Sequence, residues 1–233
     1  MKLGIMQPYF FPYIGYWQLM NAVDKFVVYD DIQFTKKGWI HRNRFLQNGK
    51  DAMFSLSLKK DSDYLDIRQR FLAENNKKNV DKILRQFENT YSKAQNYPQV
   101  MEVIQASFLY SDDNLFGYIM HSLLNIKEYL GISTPLIVSS TLDYNSTLKS
   151  QDKVLDICAV LSAESYYNPI GGTELYRKSD FQDKGIDLHF LQSGDIIYDQ
   201  FKNEFVPNLS IIDVLMFNSV DKVKKLLNNF TLF

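Results

Sequence analysis

Apolar positions along the chain change period several times, and the changes divide it into elements. Leu3 to Met6 reads as a short buried strand. A proline-bounded loop, Gln7 to Pro12, follows it. Tyr13 to Val23 then carries Ile14, Trp17 and Met20 at helical spacing, and Lys25 to Tyr29 is a second apolar run rich in Val and Phe. Strand, loop, helix and strand within so short a stretch predict a βαβ unit with parallel pairing and a right-handed crossover. Trp39 to Lys60 predicts an irregular segment and a further strand, Met53 to Leu58. The spacing of Val80, Ile83, Leu84, Phe87 and Tyr91 predicts an amphipathic helix over Asn76 to Tyr91. Two more helices follow, Pro98 to Leu109 and Asp113 to Leu130, the latter stopped by Gly131.

Alternation resumes after Pro135. Leu136 to Val138 is a strand, and Ser139 to Ser150 a polar loop. Gln151 to Leu161 is a helix whose buried face is Val154, Leu155, Cys158 and Leu161. Ser165 to Tyr167 is a strand, Asn168 to Thr173 a loop with the Gly171-Gly172 pair, Asp187 to Leu191 a strand, and the tail from Ser210 is helical. The pattern predicts a single α/β domain over 1–233: a Rossmann-like, mostly parallel open sheet with a helical insert or subdomain at about 76–131.

Composition narrows the functional classes. With 45% hydrophobic and 23% charged residues the chain is an ordinary globular one. A net charge of −1 and no basic block argue against non-specific nucleic-acid binding. Cys158 is the single cysteine, so no intrachain disulfide forms, which suits a cytoplasmic location. The first residues lack a signal-peptide core, and no apolar run approaches the ~20 residues of a membrane helix. Aromatics reach 15%, and Tyr9-Phe10-Phe11 and Tyr13-Tyr16-Trp17 are candidates to stack on a base or sugar, although core packing explains most of them equally well; Tyr9, Tyr16 and Trp39 are counted among the substrate-binding candidates.

In an open parallel sheet ligands bind beyond the carboxyl ends of the strands. Four such ends run into polar loops: Gln7-Pro8-Tyr9, Asp30-Asp31-Ile32-Gln33, Ser139-Ser140-Thr141 and Asn168 to Gly172. If the strands are parallel neighbours, these loops meet on one rim. Asp30 or Asp31 there ligates Mg²⁺, orients a sugar hydroxyl, acts as a base, or simply shapes a turn. Neighbouring residues of a strand point to opposite sides, so one of the pair should face the ligand. Trp39-Ile40-His41-Arg42-Asn43-Arg44 is the densest run of functional side chains. His41 is a candidate base, Arg42, Asn43 and Arg44 candidate grips for phosphate or a developing oxyanion, and Gln7, Asp31 and Gln33 candidate partners of sugar hydroxyls. Ser140, Gly171 and Gly172 complete the substrate-facing set. The chain has no zinc spacing, P-loop lysine, nucleophile elbow or G-x-G-x-x-G. No metal is therefore assigned, and Cys158, on an apolar helix face, reads as an inert buried thiol.

The residues so assembled resemble the WbqC-like family. Gln7-Pro8, Phe11-Pro12, Gly15-Tyr16, Asp24, Phe26-Val27, Asp30-Asp31, Gln33-Phe34, and Trp39 with Arg42-Asn43-Arg44 look like its opening signature. Ser139-Ser140, Tyr166-Tyr167 with Gly171 and Tyr176, Phe181 with Gly185-Ile186, and Leu209 to Asp213 extend the likeness over nearly the whole chain. The resemblance implies a product of bacterial surface-polysaccharide clusters, such as O-antigen clusters that make amino sugars. It implies transfer of an acyl or aminoacyl group, from a thioester donor or acyl carrier protein, to the amine of a nucleotide-activated amino sugar. Two alternatives stand beside it. Pro12 to Tyr16 lies where HxGH nucleotidyltransferases carry their signature, with Tyr13 and Tyr16 in place of both histidines. The other is a non-catalytic sugar-nucleotide-binding or scaffold protein.

Overall fold

Along the second strand, successive side chains enter different cores. Phe26 and Val28 join one apolar cluster, while Val27 and Tyr29 join another. A strand buried on both faces is the mark of a central parallel sheet. The computed structural model describes residues 1–202 and 204–233 and places this strand accordingly.

In chain order the elements are β1 (Lys2–Met6), α1 (Ile14–Ala22), β2 (Lys25–Val28), β3 (Arg42–Gln47), β4 (Lys50–Ser55), α2 (Asn76–Tyr91), α3 (Tyr97–Phe108), α4 (Leu115–Leu130), β5 (Leu136–Val138), α5 (Ser150–Val160), β6 (Ser165–Pro169), α6 (Lys178–Gln182), β7 (Asp187–Ser193), α7 (Ile211–Phe217), α8 (Val220–Leu226) and β8 (Phe230–Leu232). The main sheet is six-stranded, in the order β5-β2-β1-β6-β7-β8. The first five strands are parallel and β8 pairs antiparallel with β7. The protein is thus α/β with a mostly parallel sheet.

Helices cover both faces of the sheet. On one side α5 and α6 bring Val154, Ile157, Cys158 and Phe181 against Leu3, Ile5, Val27 and Tyr166. On the other, α1, α7 and α8 bury Trp17, Leu19, Ile212, Leu215 and Val223, in a core continuous with Val80, Ile83, Phe87, Ile104 and Leu123 from α2, α3 and α4. Those three helices and the β3–β4 hairpin all lie in the connection between the paired strands β2 and β5.

The predicted βαβ unit and the helix Asn76–Tyr91 are present. Gly131 closes α4 at φ 68°, its N–H donating to Glu128 and Lys127. The structure differs at the expected strand Met53 to Leu58. That strand instead covers Lys50–Ser55 and pairs with β3, a segment expected to be irregular. The cause is the two-residue turn Asn48-Gly49, with φ of 52° and 74°, a geometry whose twist matches a tight hairpin. The buried face of α5 is turned by one residue from the expected one. It presents Lys153, Val154, Ile157 and Cys158. α6 and β8 were not foreseen; with five and three residues they are too short to show a period.

Candidate functional site

Because β5, β2, β1 and β6 are adjacent and parallel, their carboxyl ends open on one edge. The loops beginning at Gln7, Tyr29, Ser139 and Ile170 therefore share a rim. The chain also reverses direction of travel between β1 and β6, the point at which open α/β sheets generally take their ligands.

Asp30 and Asp31 lie beyond the last paired residue of β2, so strand alternation does not govern them. Both carboxylates converge on Ser139. Asp30 Oδ1 accepts from Ser139 Oγ at 2.8 Å and from the Ser140 amide at 3.0 Å, and Oδ2 accepts from Ser140 Oγ at 2.7 Å. The Asp30 amide donates to Ser139 Oγ at 3.1 Å. Asp30 thus ties the β2 loop to the β5 loop. Asp31 accepts from Ser139 and Tyr144, and Lys153 Nζ stands 3.3 Å from its Oδ2 and donates to its backbone carbonyl at 2.9 Å. Burial alone would raise the Asp31 carboxyl, but the Ser139, Tyr144 and Lys153 donors outweigh it and hold the group below its ordinary range. Lys153 is itself buried, with its ammonium 5.0 Å from the Tyr29 ring and 5.3 Å from the Tyr144 ring. It was not foreseen. Its signal is a lysine on the same helix face as Ile157, one turn away.

The first loop keeps free polar groups. The Gln7 carbonyl accepts from the Tyr16 hydroxyl at 3.2 Å, and Tyr16 is wholly buried. The Gln7 side-chain amide and the half-buried Tyr9 hydroxyl make no hydrogen bond to another described residue. Trp39 comes beside this loop through a hydrogen bond from the Phe10 amide to its carbonyl, 3.3 Å, and the residue is 37% exposed. Arg44 stacks on that ring, 5.4 Å from its centroid, while donating to the Asn208 carbonyl and pairing with Asp51.

Arg42 and Asn43 are committed to the scaffold. Arg42 donates to the Gly38 and Lys37 carbonyls at 3.1 and 2.6 Å. Asn43 is buried, and its amide donates to the carbonyls of Phe10 and Phe11, holding Phe11 at φ 44°. Gln33 is exposed and donates to the Asp63 carbonyl at 2.8 Å. On β6, Asn168 donates to the Tyr166 hydroxyl at 2.6 Å. Gly171 faces open space, whereas a Cβ on Gly172 would meet Asn168 Oδ1 at 2.0 Å, so the second glycine is required by close packing. Ile170–Gly172 form a single 3₁₀ turn.

His41 immediately precedes β3, against Phe34, with ring centroids 5.3 Å apart. Its Nδ1 is buried with no hydrogen-bond partner among the described residues. Burial, with Arg42 and Arg70 nearby, pushes its pKa down to about 4, so the imidazole is neutral at pH 7. Cys158 is buried, which pushes its thiol up to about 12 and leaves it unreactive. Among the described residues no group of three or more His, Cys, Asp or Glu side chains could hold a metal ion, and no helix is long and apolar enough to cross a membrane.

A groove of about 1260 Å³ lies elsewhere, between α2 and the α3–α4 connection, lined by Leu58, Leu72, Val80, Phe108 and Tyr118. It contains none of the strand-end residues.

No solved structure matches the chain. An uncharacterised protein of Mycobacterium tuberculosis, Rv1507c, is 27% identical over 217 residues, covering 92% of this chain and 92% of that protein. The model of the WbqC-like protein family matches residues 7–225, which takes in every strand-end loop described above, and the chain belongs to that family.

Proposed function

We propose that the protein is a cytoplasmic transferase of surface-polysaccharide (O-antigen) biosynthesis, moving an acyl or aminoacyl group from a thioester to the amine of a nucleotide-activated amino sugar. Numbering the main-sheet strands in chain order gives 3-2-1-4-5-6, which supports a Rossmann-like reading with residues 29–135 inserted between its second and third strands. Sheets of that order take nucleotides at the crevice where their strand order reverses, here between β1 and β6. The Gln7 amide, the Tyr9 hydroxyl, the exposed Trp39 face and the open backbone at Gly171 stand around that edge and suit a sugar and its base.

The observation that carries the proposal is His41: a neutral imidazole beside the loop that holds Trp39, whose Nδ1 is unpartnered and can carry the ring's proton, leaving Nε2 as the nitrogen that accepts. The amine nitrogen attacks the thioester carbonyl carbon. Once the C–N bond forms, that nitrogen becomes acidic, and a base as weak as His41 can take its proton. The C–S bond breaks as the tetrahedral centre collapses. The proton passes to the departing thiolate, leaving an amide and a free thiol. Asp30, with both oxygens engaged, serves as a positioning residue for the rim. Asn43 does the same for the Phe10–Phe11 turn. An acyl carrier protein is the proposed donor partner.

The test has two stages. Sugar nucleotides are screened by thermal shift, and the best binder is assayed with acyl and aminoacyl thioesters by mass spectrometry. His41→Ala should then lower kcat by about 10²–10⁴-fold while sugar-nucleotide affinity is kept. Unchanged turnover in His41→Ala removes the base assignment. Failure of every nucleotide-activated amino sugar to bind removes the substrate class.

A further inference from the structure

Arg70 was not singled out by the sequence, and its setting is unusual. It is only 3% exposed, and a guanidinium stays charged when buried. No carboxylate among the described residues lies within 4.0 Å of it. Its cation rests on the Phe34 ring at 4.8 Å. NH1 donates to the Ser62 carbonyl at 2.7 Å and NH2 to the Lys59 carbonyl at 3.3 Å, while Nε is buried without a partner. Carbonyl dipoles satisfy hydrogen bonds but leave the net charge uncompensated, and an uncompensated buried charge is costly. His41, whose Nδ1 is likewise unpartnered, packs on the same Phe34 ring, and Arg70 lies close enough to help keep it neutral.

We infer that Arg70 and His41 form a binding subsite for a phosphate group, adjoining the strand-end rim. Two observations place it there. The segment that carries Arg70 runs along the Asp30 loop: the Arg68 amide donates to the Asp30 carbonyl at 3.2 Å and the Ile67 amide to the Ile32 carbonyl at 3.0 Å. The cover over Arg70 is the strap Lys59 to Leu65, whose residues from Lys59 to Tyr64 are all exposed and whose carbonyls now accept from the guanidinium. The strap is anchored at its ends, by the Lys59 amide on the Phe71 carbonyl and by Gln33, Lys36 and the Phe34 amide on Asp63 and Leu65, so the stretch free to open locally is Lys60 to Ser62, which is exposed. Phosphate oxygens then replace the Ser62 and Lys59 carbonyls on the guanidinium fork, with Arg70 Nε and the Nδ1–H tautomer of His41 as further donors. A set of donors beyond the fork suits the several oxygens of phosphate better than the two of a carboxylate. The anion's charge also offsets the Arg70 field at His41, so filling the subsite raises the basicity of that imidazole. Only the identification of the phosphate with that of a sugar nucleotide rests on the transferase proposal; the subsite itself does not.

The test uses the intact protein and inorganic pyrophosphate, with acetate as the carboxylate probe. Calorimetry should show pyrophosphate binding that weakens at least tenfold in Arg70→Gln, less in Arg70→Lys, and not at all in Arg68→Gln, an exposed arginine two residues away. In parallel, the His41 ring nitrogens are followed by NMR against pH, with His41→Gln assigning the signals. Saturating pyrophosphate should move the His41 midpoint upward by one pH unit or more, with Arg42 and Arg70 the charged groups that act on it. No pyrophosphate binding to the wild type, equal binding in Arg70→Gln, or an unmoved His41 midpoint each overturns the subsite. Acetate binding as tightly as pyrophosphate overturns its assignment to phosphate. If Arg70→Gln does not fold, the wild-type His41 titration alone decides. Pyrophosphate binding without turnover of any sugar nucleotide keeps the subsite and removes the transferase.

Discussion

Replacing Lys153 by Met isolates the electrostatic part of the rim, because methionine keeps most of the stem's volume and apolar contact. In the wild type the ammonium and the Asp31 carboxylate stand 3.3 Å apart, with side chains 9% and 7% exposed. At an effective dielectric near 20 their attraction is about 5 kcal/mol. Part of this is returned, since the lysine no longer has to leave water. What remains is a buried carboxylate with Ser139 and Tyr144 as its side-chain donors, and breaking such a pair typically costs about 3–5 kcal/mol. Urea unfolding is followed by Trp17 and Trp39 fluorescence and by circular dichroism, whose coincidence tests two-state behaviour. With an m-value of about 2–3 kcal/mol/M, the midpoint should fall by more than about 1 M at unchanged m. Adding Asp31→Asn to Lys153→Met should recover part of the loss, giving a coupling of about 1–3 kcal/mol in the double-mutant cycle. A loss below about 1 kcal/mol in Lys153→Met, or zero coupling with Asp31, would refute the view of these two residues as the latch between the β2 loop and α5.

Asp31 also sets a pH dependence. Its folded pKa lies below the ordinary 3.8, so its stabilising contribution is complete above about pH 4 and is lost as pH falls through the folded value. Asp31→Asn should therefore be less stable than wild type at pH 7 and converge on it at the acid end of a titration of unfolding free energy; parallel curves would contradict the assignment. Tyr91→Phe removes a hydroxyl that donates to buried Asp213 at 2.8 Å and accepts from the Leu46 amide at 2.9 Å, leaving both underserved. A loss of about 2–4 kcal/mol in chemical denaturation is expected, and a neutral outcome would mean other groups fill in. The glycine pair separates packing from binding. Gly172→Ala should destabilise by about 1–3 kcal/mol because its Cβ collides with Asn168, whereas Gly171→Ala, facing open space, should leave the melting temperature unchanged and lower affinity for a sugar nucleotide if its backbone borders the ligand.

Much of the architecture was legible in the residue pattern. The period of apolar positions marked β1, α1, β2, α2 and α4, because a strand or helix must present a coherent face to a core whatever that core contains. The family signature in Gln7 to Arg44 was legible for the same reason that a local motif is: its residues are close in the chain. Tertiary structure decided what each face meets. Lys153 and Asp31 are 122 residues apart, and only the parallel neighbours β2 and β5 bring the loops after them together. Arg70 became notable because no carboxylate among the described residues lies beside it, which no local pattern encodes. Asn43 and Gln33 looked like ligand contacts in sequence, but the fold sets their amides against the carbonyls of Phe10, Phe11 and Asp63. The chain alone therefore determined the kind of protein and the stretch that carries its signature. Which polar groups remain free for chemistry was decided in three dimensions, since a hydrogen-bonding group is available only when folding has not already satisfied it.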